Sequence, residues 1–216
     1  MSWGTLWLIA GPNGAGKTTL ASQVEFTQWT REAIRLNADE LTLQKLQSKG
    51  FTRFENAPFD VLSSTFKAAA DETFEDTELL LAAGLPVLAE TVLSTDKYKP
   101  LVEQVIANGG QFRLIYVALR SPQVSAERVK RRAVQGGHDV PADRLEKRWR
   151  QSLAHLGWFA SRAGLFWVFD NSDFEKVDPP VLVARGGNGA IDDMVAESSV
   201  FPELLQSIKT ISPPKE

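Results

Sequence analysis

The sequence predicts an α/β fold in which a mainly parallel β-sheet is flanked by helices. Short apolar runs alternate along the chain with segments of helical periodicity, which is typical of parallel strands joined by crossover helices. The 216 residues, of which 43% are hydrophobic, are enough to form one domain with a substantial core. We therefore expect residues 1–216 to form a single domain.

The composition excludes several classes of function. The chain contains no cysteine, so disulfides, thiol nucleophiles and thiolate metal sites are excluded. No apolar run approaches the roughly 20 residues of a membrane span, and the first residues lack the basic start of a secretory signal. The net charge of −3 argues against nucleic acid as a partner. We therefore expect a cytoplasmic protein that does not associate with membranes.

The first half of the chain contains three predicted strands and three predicted helices. Short apolar runs, which suit strands buried in a parallel sheet, predict strands at 3–10, 33–36 and 86–89. Apolar residues at helical spacing predict helices at 16–26, 41–49 and 63–83. Gly50 and Gly84 directly follow the last two of these helices. Glycine readily adopts the left-handed conformation that commonly ends a helix, so both residues support the predicted helix ends.

The second half adds further crossover units and ends differently. A helix at 98–107 precedes strands at 112–119 and 165–169. Ser121 and Pro122 provide the N-cap and first-turn residues of another helix, and two helices are expected around 128–150. The Gly-rich turn at 185–189, flanked by 179–184 and 190–195, predicts an antiparallel hairpin, and a closing helix is expected at 201–211.

A phosphate-binding loop follows the first predicted strand. The segment matches the pattern G-x-x-x-x-G-K-[ST] in full, with an apolar strand before it and a helix after it. Glycines let backbone N–H groups converge on phosphate oxygens, and the helix N-terminus adds a favourable dipole. Its residues are Gly11, Pro12, Asn13, Gly14, Ala15, Gly16, Lys17 and Thr18, followed by Thr19.

The polar side chains of this loop indicate a nucleoside triphosphate and a divalent cation. The Lys17 ammonium can reach the β- and γ-phosphates, and the Thr18 hydroxyl can ligate Mg²⁺. The whole motif in this context predicts a P-loop NTPase type of fold. The loop alone does not determine the fate of the γ-phosphate.

Four further segments follow the phosphate loop in order: Asn37-Ala38-Asp39, Glu90-Thr91, the Gly-Gly-His-x-Val-Pro sequence at 136–141, and Asp170-Asn171-Ser172. Taken together, they resemble the zeta-toxin-like family of P-loop kinases, in particular its small stand-alone bacterial branch. The resemblance runs from about Trp3 to Ser172. The phosphate loop alone also resembles that of ABC-type ATPases, but the chain lacks the signature sequence and the strand ending in Asp-Glu that those proteins need.

This resemblance implies an ATP-dependent kinase that uses Mg²⁺ and phosphorylates a hydroxyl group of a small molecule. UDP-N-acetylglucosamine is the substrate known for several members, so a UDP-activated amino sugar is the implied acceptor. The resemblance also implies toxicity to the host cell and an antitoxin protein as a possible partner. Two alternatives remain open: another metabolite or nucleotide kinase on the same scaffold, and a regulatory protein that binds ATP without transferring phosphate.

Asp39 is the candidate catalytic base. It follows a predicted strand on the side where α/β sheets bind ligands, and phosphoryl transfer to an alcohol needs a carboxylate that accepts the hydroxyl proton. From the residues alone, a helix N-cap explains Asp39 equally well, since Asp is a favoured cap. The resemblance favours catalysis, because the family places its catalytic Asp in this segment and Asn37 beside it among the substrate contacts.

Glu90, Thr91 and Ser94 follow the third predicted strand. A carboxylate at Glu90 could hold Mg²⁺ through water or bind a hydroxyl of the substrate, as the matching family segment does. The alternative for Glu90 is a solvated strand end, and the alternative for Ser94 is a local turn. We favour function for Glu90 and Thr91, and count Ser94 as a weaker substrate contact.

The basic segment at 128–150 resembles a lid that closes over bound ATP. Two helices separated by a Gly pair would bring guanidinium groups to the transferring phosphoryl group. We select Arg128 and Arg132 on the first helix and Arg148 on the second, while the choice between Arg131 and Arg132 stays open. Taken singly, each arginine is better explained as a surface charge than as a catalytic group.

Two weaker candidates complete the set of predicted site residues. His138 follows the Gly pair and belongs to the family pattern, so it is a candidate substrate contact. Asn171 ends the last parallel strand, where several P-loop kinases hold the adenine, so it is a candidate base-binding residue.

Overall fold

The computed structural model describes residues 2–134, 142–173 and 179–213. Seven strands form one sheet. Their bounds are Thr5–Ala10 (β1), Ile34–Leu36 (β2), Val87–Thr91 (β3), Gln111–Ala118 (β4), Leu165–Asp170 (β5), Val181–Gly187 (β6) and Ala190–Met194 (β7).

The predicted mainly parallel sheet is confirmed. The strand order is β2-β3-β1-β4-β5-β6-β7, in which the first five strands are parallel and the last two are antiparallel. β1 lies between β3 and β4, and its residues from Leu6 to Ala10 are buried. Ile9 pairs with Glu90 and Ala10 pairs with Thr91, so the ends of β1 and β3 are level.

Helices cover the sheet. Their bounds are Lys17–Ala21 (α1), Val24–Thr30 (α2), Ala38–Ser48 (α3), Phe59–Ala82 (α4), Lys99–Ala107 (α5), Pro122–Val134 (α6), Ala142–Arg162 (α7) and Pro202–Ile208 (α8). Short 3₁₀ turns lie at Phe54–Asn56, Asp96–Tyr98 and Glu197–Ser199. Within the described parts of the chain, no helix is both long enough and apolar enough to cross a bilayer.

The helix α7 joins two hydrophobic regions. Leu145, near its N-terminal end, packs with Val129 of α6 in a small cluster of its own. Further along, Leu156 and Phe159 are fully buried in the main core, and Trp149 donates its indole N–H to the Leu119 carbonyl at 2.7 Å. α7 therefore connects the basic region to the core of the sheet.

The C-terminal hairpin is confirmed, but its turn is shorter than predicted. β6 continues to Gly187, and only Asn188 and Gly189 form the turn, with φ angles of 52° and 75°. Such left-handed pairs fit the twist of a two-residue hairpin. A Cβ on Gly186 would lie 2.0 Å from the Ala190 carbonyl oxygen, so close strand packing explains this glycine. The hairpin extends the edge of the sheet beyond β5.

Several helix boundaries differ from the prediction, among them those of α1, α2 and α4. The helix expected at 16–26 is broken into α1 and α2, because the Ser22 hydroxyl donates to the carbonyls of Thr18 and Thr19 at 3.2 and 2.8 Å and competes with the helical pattern. The long helix α4 begins at Phe59 rather than residue 63, directly after Pro58. Pro58 is the extended residue that starts the helix.

Candidate active site

A cavity of about 1330 Å³ lies at the carboxyl ends of β1 and β3. It exceeds the roughly 300–1,000 Å³ typical of a pocket for one small molecule, so it has room for two ligands side by side. Most of the site residues predicted from the sequence line this cavity: Asn13, Gly14, Ala15, Gly16, Lys17, Thr18, Thr19, Asn37, Asp39, Glu90, Thr91, Ser94, Arg128, Arg132 and Arg148.

The remaining predicted residues lie elsewhere. Gly11 and Pro12 form the buried base of the phosphate loop, and Asn171 contacts that loop from the end of β5. His138 lies outside the described residues.

The phosphate loop begins where β1 ends, and its glycines are required by its backbone. Gly11 has a φ of 142°, and a Cβ there would lie 2.1 Å from the Val117 carbonyl oxygen of β4. Gly14 and Gly16 also have positive φ angles, of 74° and 86°. The loop therefore turns tightly against β4 in a conformation that leaves its N–H groups to converge on an anion.

Side chains from two distant elements hold the loop from outside. The Ser125 hydroxyl of α6 donates to the Asn13 carbonyl at 2.6 Å, and the Asn171 amide donates to the Ala15 carbonyl at 2.8 Å. Arg128 reaches the Gly14 carbonyl at 3.4 Å. The observed contact of Asn171 is thus with the phosphate loop, and its expected contact with adenine stays a prediction.

Lys17 is half-buried and folds back on its own loop. Its ammonium donates to the carbonyls of Gly11 and Pro12 at 2.8 and 3.0 Å. Burial lowers the pKa of Lys17 to about 8, although the nearby carboxylates of Glu90 and Asp39 act to raise it. The free site therefore holds a cation that is easily deprotonated and that a bound polyanion would stabilise.

Thr18, Glu90 and Arg35 form a chain of contacts beside the loop. The Thr18 hydroxyl donates to Glu90 Oε2 at 2.8 Å, and Arg35 Nη2 donates to Glu90 Oε1 at 2.8 Å. Glu90 and Thr91 are the last residues of β3, whereas the sequence analysis placed them after the strand. An alcohol and an almost buried carboxylate next to a phosphate loop are the ligands that Mg²⁺ accepts, usually together with waters and phosphates.

Arg35 was not among the site residues predicted from the sequence. Arg35 is the middle residue of the three-residue strand β2, which pairs in parallel with β3. A charged residue inside a predicted apolar strand was the only available signal, and nothing local connects it to Glu90, 55 residues further on.

Asn37, rather than Asp39, caps the helix α3. The Asn37 side-chain oxygen accepts from the backbone N–H groups of Asp39 and Glu40 at 2.9 and 3.3 Å, so α3 begins at Ala38 instead of residue 41. The signal for this cap was present, because an Asn followed three residues later by Glu is a capping-box pattern. The N-cap alternative for Asp39 is therefore wrong, and its exposed carboxylate lines the cavity.

The segment after β3 is held in an uncommon backbone conformation. Leu93 is 2% exposed and has a φ of 59°, which non-glycine residues seldom adopt. The Thr91 hydroxyl accepts from the Leu93 N–H at 3.1 Å, and His155 of α7 donates from Nδ1 to the Leu93 carbonyl at 3.0 Å. These contacts fix the turn that presents Thr91 and Ser94 to the cavity.

The arginines of α6 and α7 separate into two groups. Arg131 pairs with Glu127 at 3.1 Å and Arg150 pairs with Glu146 at 2.9 Å, each along its own helix. The second group lines the cavity, and burial lowers the pKa of the guanidinium in two of its members, Arg128 and Arg148. This group consists of Arg128, Arg132, Arg144 and Arg148.

On one side of the cavity, side chains of α3, α4 and the 3₁₀ turn before α4 form an apolar wall, next to polar residues of α4 such as Lys67 and Thr73. Phe54 stacks on Phe66 with ring centroids 5.4 Å apart, and Phe59 is 78% exposed at the start of α4. Leu43 of α3 and Leu62 complete this wall. These residues could not be predicted from the sequence, because they belong to no motif and meet only through the packing of α4 against α3.

Comparison with known proteins supports the fold and identifies the family. The chain resembles the structure of the PezAT toxin–antitoxin system of Streptococcus pneumoniae, with a TM-score of 0.58, 13% identity, and coverage of 98% of this chain and 79% of that one. It also resembles AvrRxo1-ORF1:-ORF2 with ATP, with a TM-score of 0.67 and 14% identity. That match covers 100% of this chain but only 65% of the other chain.

Because the sequence identities are only 13% and 14%, the similarity to these two structures establishes the fold alone. No curated protein matches the chain at a significant level. The sequence model of the zeta toxin family matches residues 4–173, which contain the phosphate loop, Asp39, Glu90 and the arginines of α6 and α7. The resemblance read from the motifs is thereby confirmed, and the chain belongs to the zeta toxin family.

Proposed function

We propose that this protein is an ATP-dependent kinase that transfers the γ-phosphoryl group to a hydroxyl group of a small molecule. One observation carries the proposal: the phosphate loop, the Asp39 carboxylate and the arginines of α6 and α7 all line the same cavity. Phosphoryl transfer needs these three parts, namely a cradle for the triphosphate, a proton acceptor and cations around the transferring group.

The triphosphate would bind to the N–H groups of the loop and to Lys17. Its negative charge would draw the Lys17 ammonium away from the carbonyls of Gly11 and Pro12, to which it now donates. Thr18 and Glu90 would hold Mg²⁺, which would supply positive charge to offset the negative charge of the phosphate groups. The loop itself stays in place, since Ser125 and Asn171 hold its backbone.

Asp39 would accept the proton of the acceptor hydroxyl. The hydroxyl oxygen then forms a bond to the γ-phosphorus while the bond from that phosphorus to the β–γ bridging oxygen breaks, which leaves ADP. Arg132 and Arg148 would stabilise the charge on the transferring group. Asp39 acts to raise the pKa of both Lys17 and Arg148, so its carboxylate lies close enough to influence both cations.

We further propose a UDP-activated amino sugar such as UDP-N-acetylglucosamine as the acceptor. The family supports this choice, and the size of the cavity leaves room for a second nucleotide-sized ligand beside ATP. The apolar wall that contains Phe54, Phe59 and Phe66 lies within this room. Mass spectrometry of a panel of UDP-sugars, nucleotides and simple sugars incubated with the protein and ATP tests the acceptor directly.

An antitoxin protein is the proposed partner. The similar structure from Streptococcus pneumoniae belongs to a toxin–antitoxin system, and the matched chain of that structure has the same fold as this protein. An inhibitor of the proposed kinase would have to deny ATP or the acceptor access to the cavity.

Replacing Asp39 by Asn tests its role as the base. The amide keeps the size of the side chain but cannot accept the proton, so we expect kcat to fall by about 10²- to 10⁴-fold while ATP affinity changes little. Turnover with γ-labelled ATP and calorimetric binding measure the two quantities. An enzyme with unchanged kcat would remove Asp39 from the mechanism.

Arg148 and Arg150 provide a matched pair on one helix. Arg148→Ala removes a cation that lines the cavity, so we expect a loss of about 10³-fold or more in kcat. Arg150→Ala removes an exposed arginine that pairs with Glu146 and should leave kcat within about twofold. Equal effects of the two substitutions on kcat would contradict the assignment.

The pKa of Lys17 predicts how ATP affinity changes with pH. Bound phosphates raise the pKa of Lys17 above its free value of about 8, so the complex holds more protons than the free protein at pH 8–9. Affinity should therefore fall severalfold as pH rises from about 7 to 9. Lys17→Arg keeps its charge throughout this range and should bind ATP with little pH dependence, and an equal slope in both proteins would refute the interpretation.

Toxicity can be tested by induced expression in a bacterial host. We expect the wild-type chain to arrest growth and the Lys17→Ala variant, which cannot hold the triphosphate, to be tolerated at the same protein level. Equal growth of the two cultures would show that kinase activity is not toxic in that host.

A further inference from the structure

The ion pair between Arg35 and Glu90 lies immediately beside the phosphate loop. Its two atoms are 2.8 Å apart, and the side chains are 33% and 8% exposed. Arg35 also lies 3.4 Å from Glu40, which is 60% exposed, so Glu90 is its shorter and better shielded contact. The proposed reaction assigns no task to Arg35.

Glu90 presents a charge problem for a site that binds triphosphates. Its second oxygen accepts from the hydroxyl of Thr18, so the carboxylate is bonded to a residue of the phosphate loop itself. Two like charges in a partly dehydrated site repel each other far more strongly than they do in water. An uncompensated Glu90 would therefore oppose the binding of any polyanion to this loop.

Arg35 compensates the negative charge of Glu90 from the side of the carboxylate that faces away from Thr18. It lies on β2 and contacts the oxygen of Glu90 that does not bind Thr18, so it offsets the charge without occupying the face toward the loop. We propose that Arg35 is the counter-ion that lets the loop bind a triphosphate before a divalent cation arrives, and that it sets how strongly nucleotide affinity depends on that cation. The inference rests on the nucleotide binding of the proposed function, but not on phosphoryl transfer.

The sign of the effect follows from the charges alone. Removing the positive charge of Arg35 disfavours a bound anion and favours a bound cation. Both changes raise the ratio between the nucleotide Kd without metal and the Kd with metal. A role of Arg35 in folding alone would weaken both Kd values together and leave their ratio unchanged.

Calorimetry of ATP binding, in EDTA and in excess Mg²⁺, tests the inference. For Arg35→Met we expect metal-free affinity to fall about tenfold, with a smaller loss in Mg²⁺, so that the ratio of the two Kd values rises severalfold. Arg35→Lys keeps the charge and should stay within about threefold of the wild-type ratio. Arg185→Met removes an exposed arginine that pairs with Asp193 at the far edge of the sheet and should not change the ratio.

A second variant keeps the test decisive if Arg35→Met does not fold. Glu90→Gln removes the opposite charge, so metal-free ATP binding should tighten and the ratio should fall below the wild-type value. In the double variant Arg35→Met/Glu90→Gln the net charge of the pair is zero, as in the wild type, so metal-free ATP affinity should return towards the wild-type value, whereas the gain from Mg²⁺ should stay reduced because the Glu90 carboxylate is missing.

Three results would overturn the inference. They are an unchanged ratio in Arg35→Met, a Lys variant that behaves like the Met variant, or metal-free ATP binding that does not tighten in Glu90→Gln. Failure of the proposed kinase function would look different, because the wild type would bind ATP with a measurable metal dependence but would transfer no label to any acceptor. The role of Arg35 is decided by the binding data in either case.

Discussion

The site depends on the parallel register between β1 and β3. Ile9 pairs with Glu90 and Ala10 pairs with Thr91, so the end of β3 is level with the start of the phosphate loop. The Glu90 carboxylate is thereby placed within hydrogen-bonding distance of the Thr18 hydroxyl. A shift of one residue would turn Glu90 to the opposite face of the sheet. Such a shift would also disrupt the packing of the buried side chains of β1 and β3, which lie on both faces of the sheet. The core of the sheet thus fixes the geometry of the site.

The charges of the cavity are arranged as compensated groups rather than as a uniformly basic surface. Glu90 pairs with Arg35, and Asp39 lies near enough to Lys17 and Arg148 to influence the pKa of each. Because each negative charge lies near a positive one, the carboxylates of Asp39 and Glu90 can line a cavity that would also bind phosphate groups. Burial, which makes isolated charges costly, strengthens the attraction within such groups.

Local features of the sequence were sufficient to predict the parallel sheet, the phosphate loop and the hairpin. Each of these depends on a contiguous pattern, such as the eight residues from Gly11 to Thr18. The contact between Arg35 and Glu90 could not be predicted in this way, because it depends on which strands become neighbours. The break after Ala21 was missed for a subtler reason: the Ser22 hydroxyl competes for helical carbonyls, which propensity alone does not reveal.

The continuity of α7 limits how the arginines can approach a ligand. This helix of 21 residues is about 32 Å long, with Arg148 towards one end and, at the other, Ser161, whose hydroxyl accepts from the Ser212 N–H beyond α8. A straight helix tilts as a rigid rod. Any inward travel of Arg148 would therefore be a pivot about the C-terminal half of the helix, which is anchored by Leu156 and Phe159 in the core and by the contact between Ser161 and Ser212.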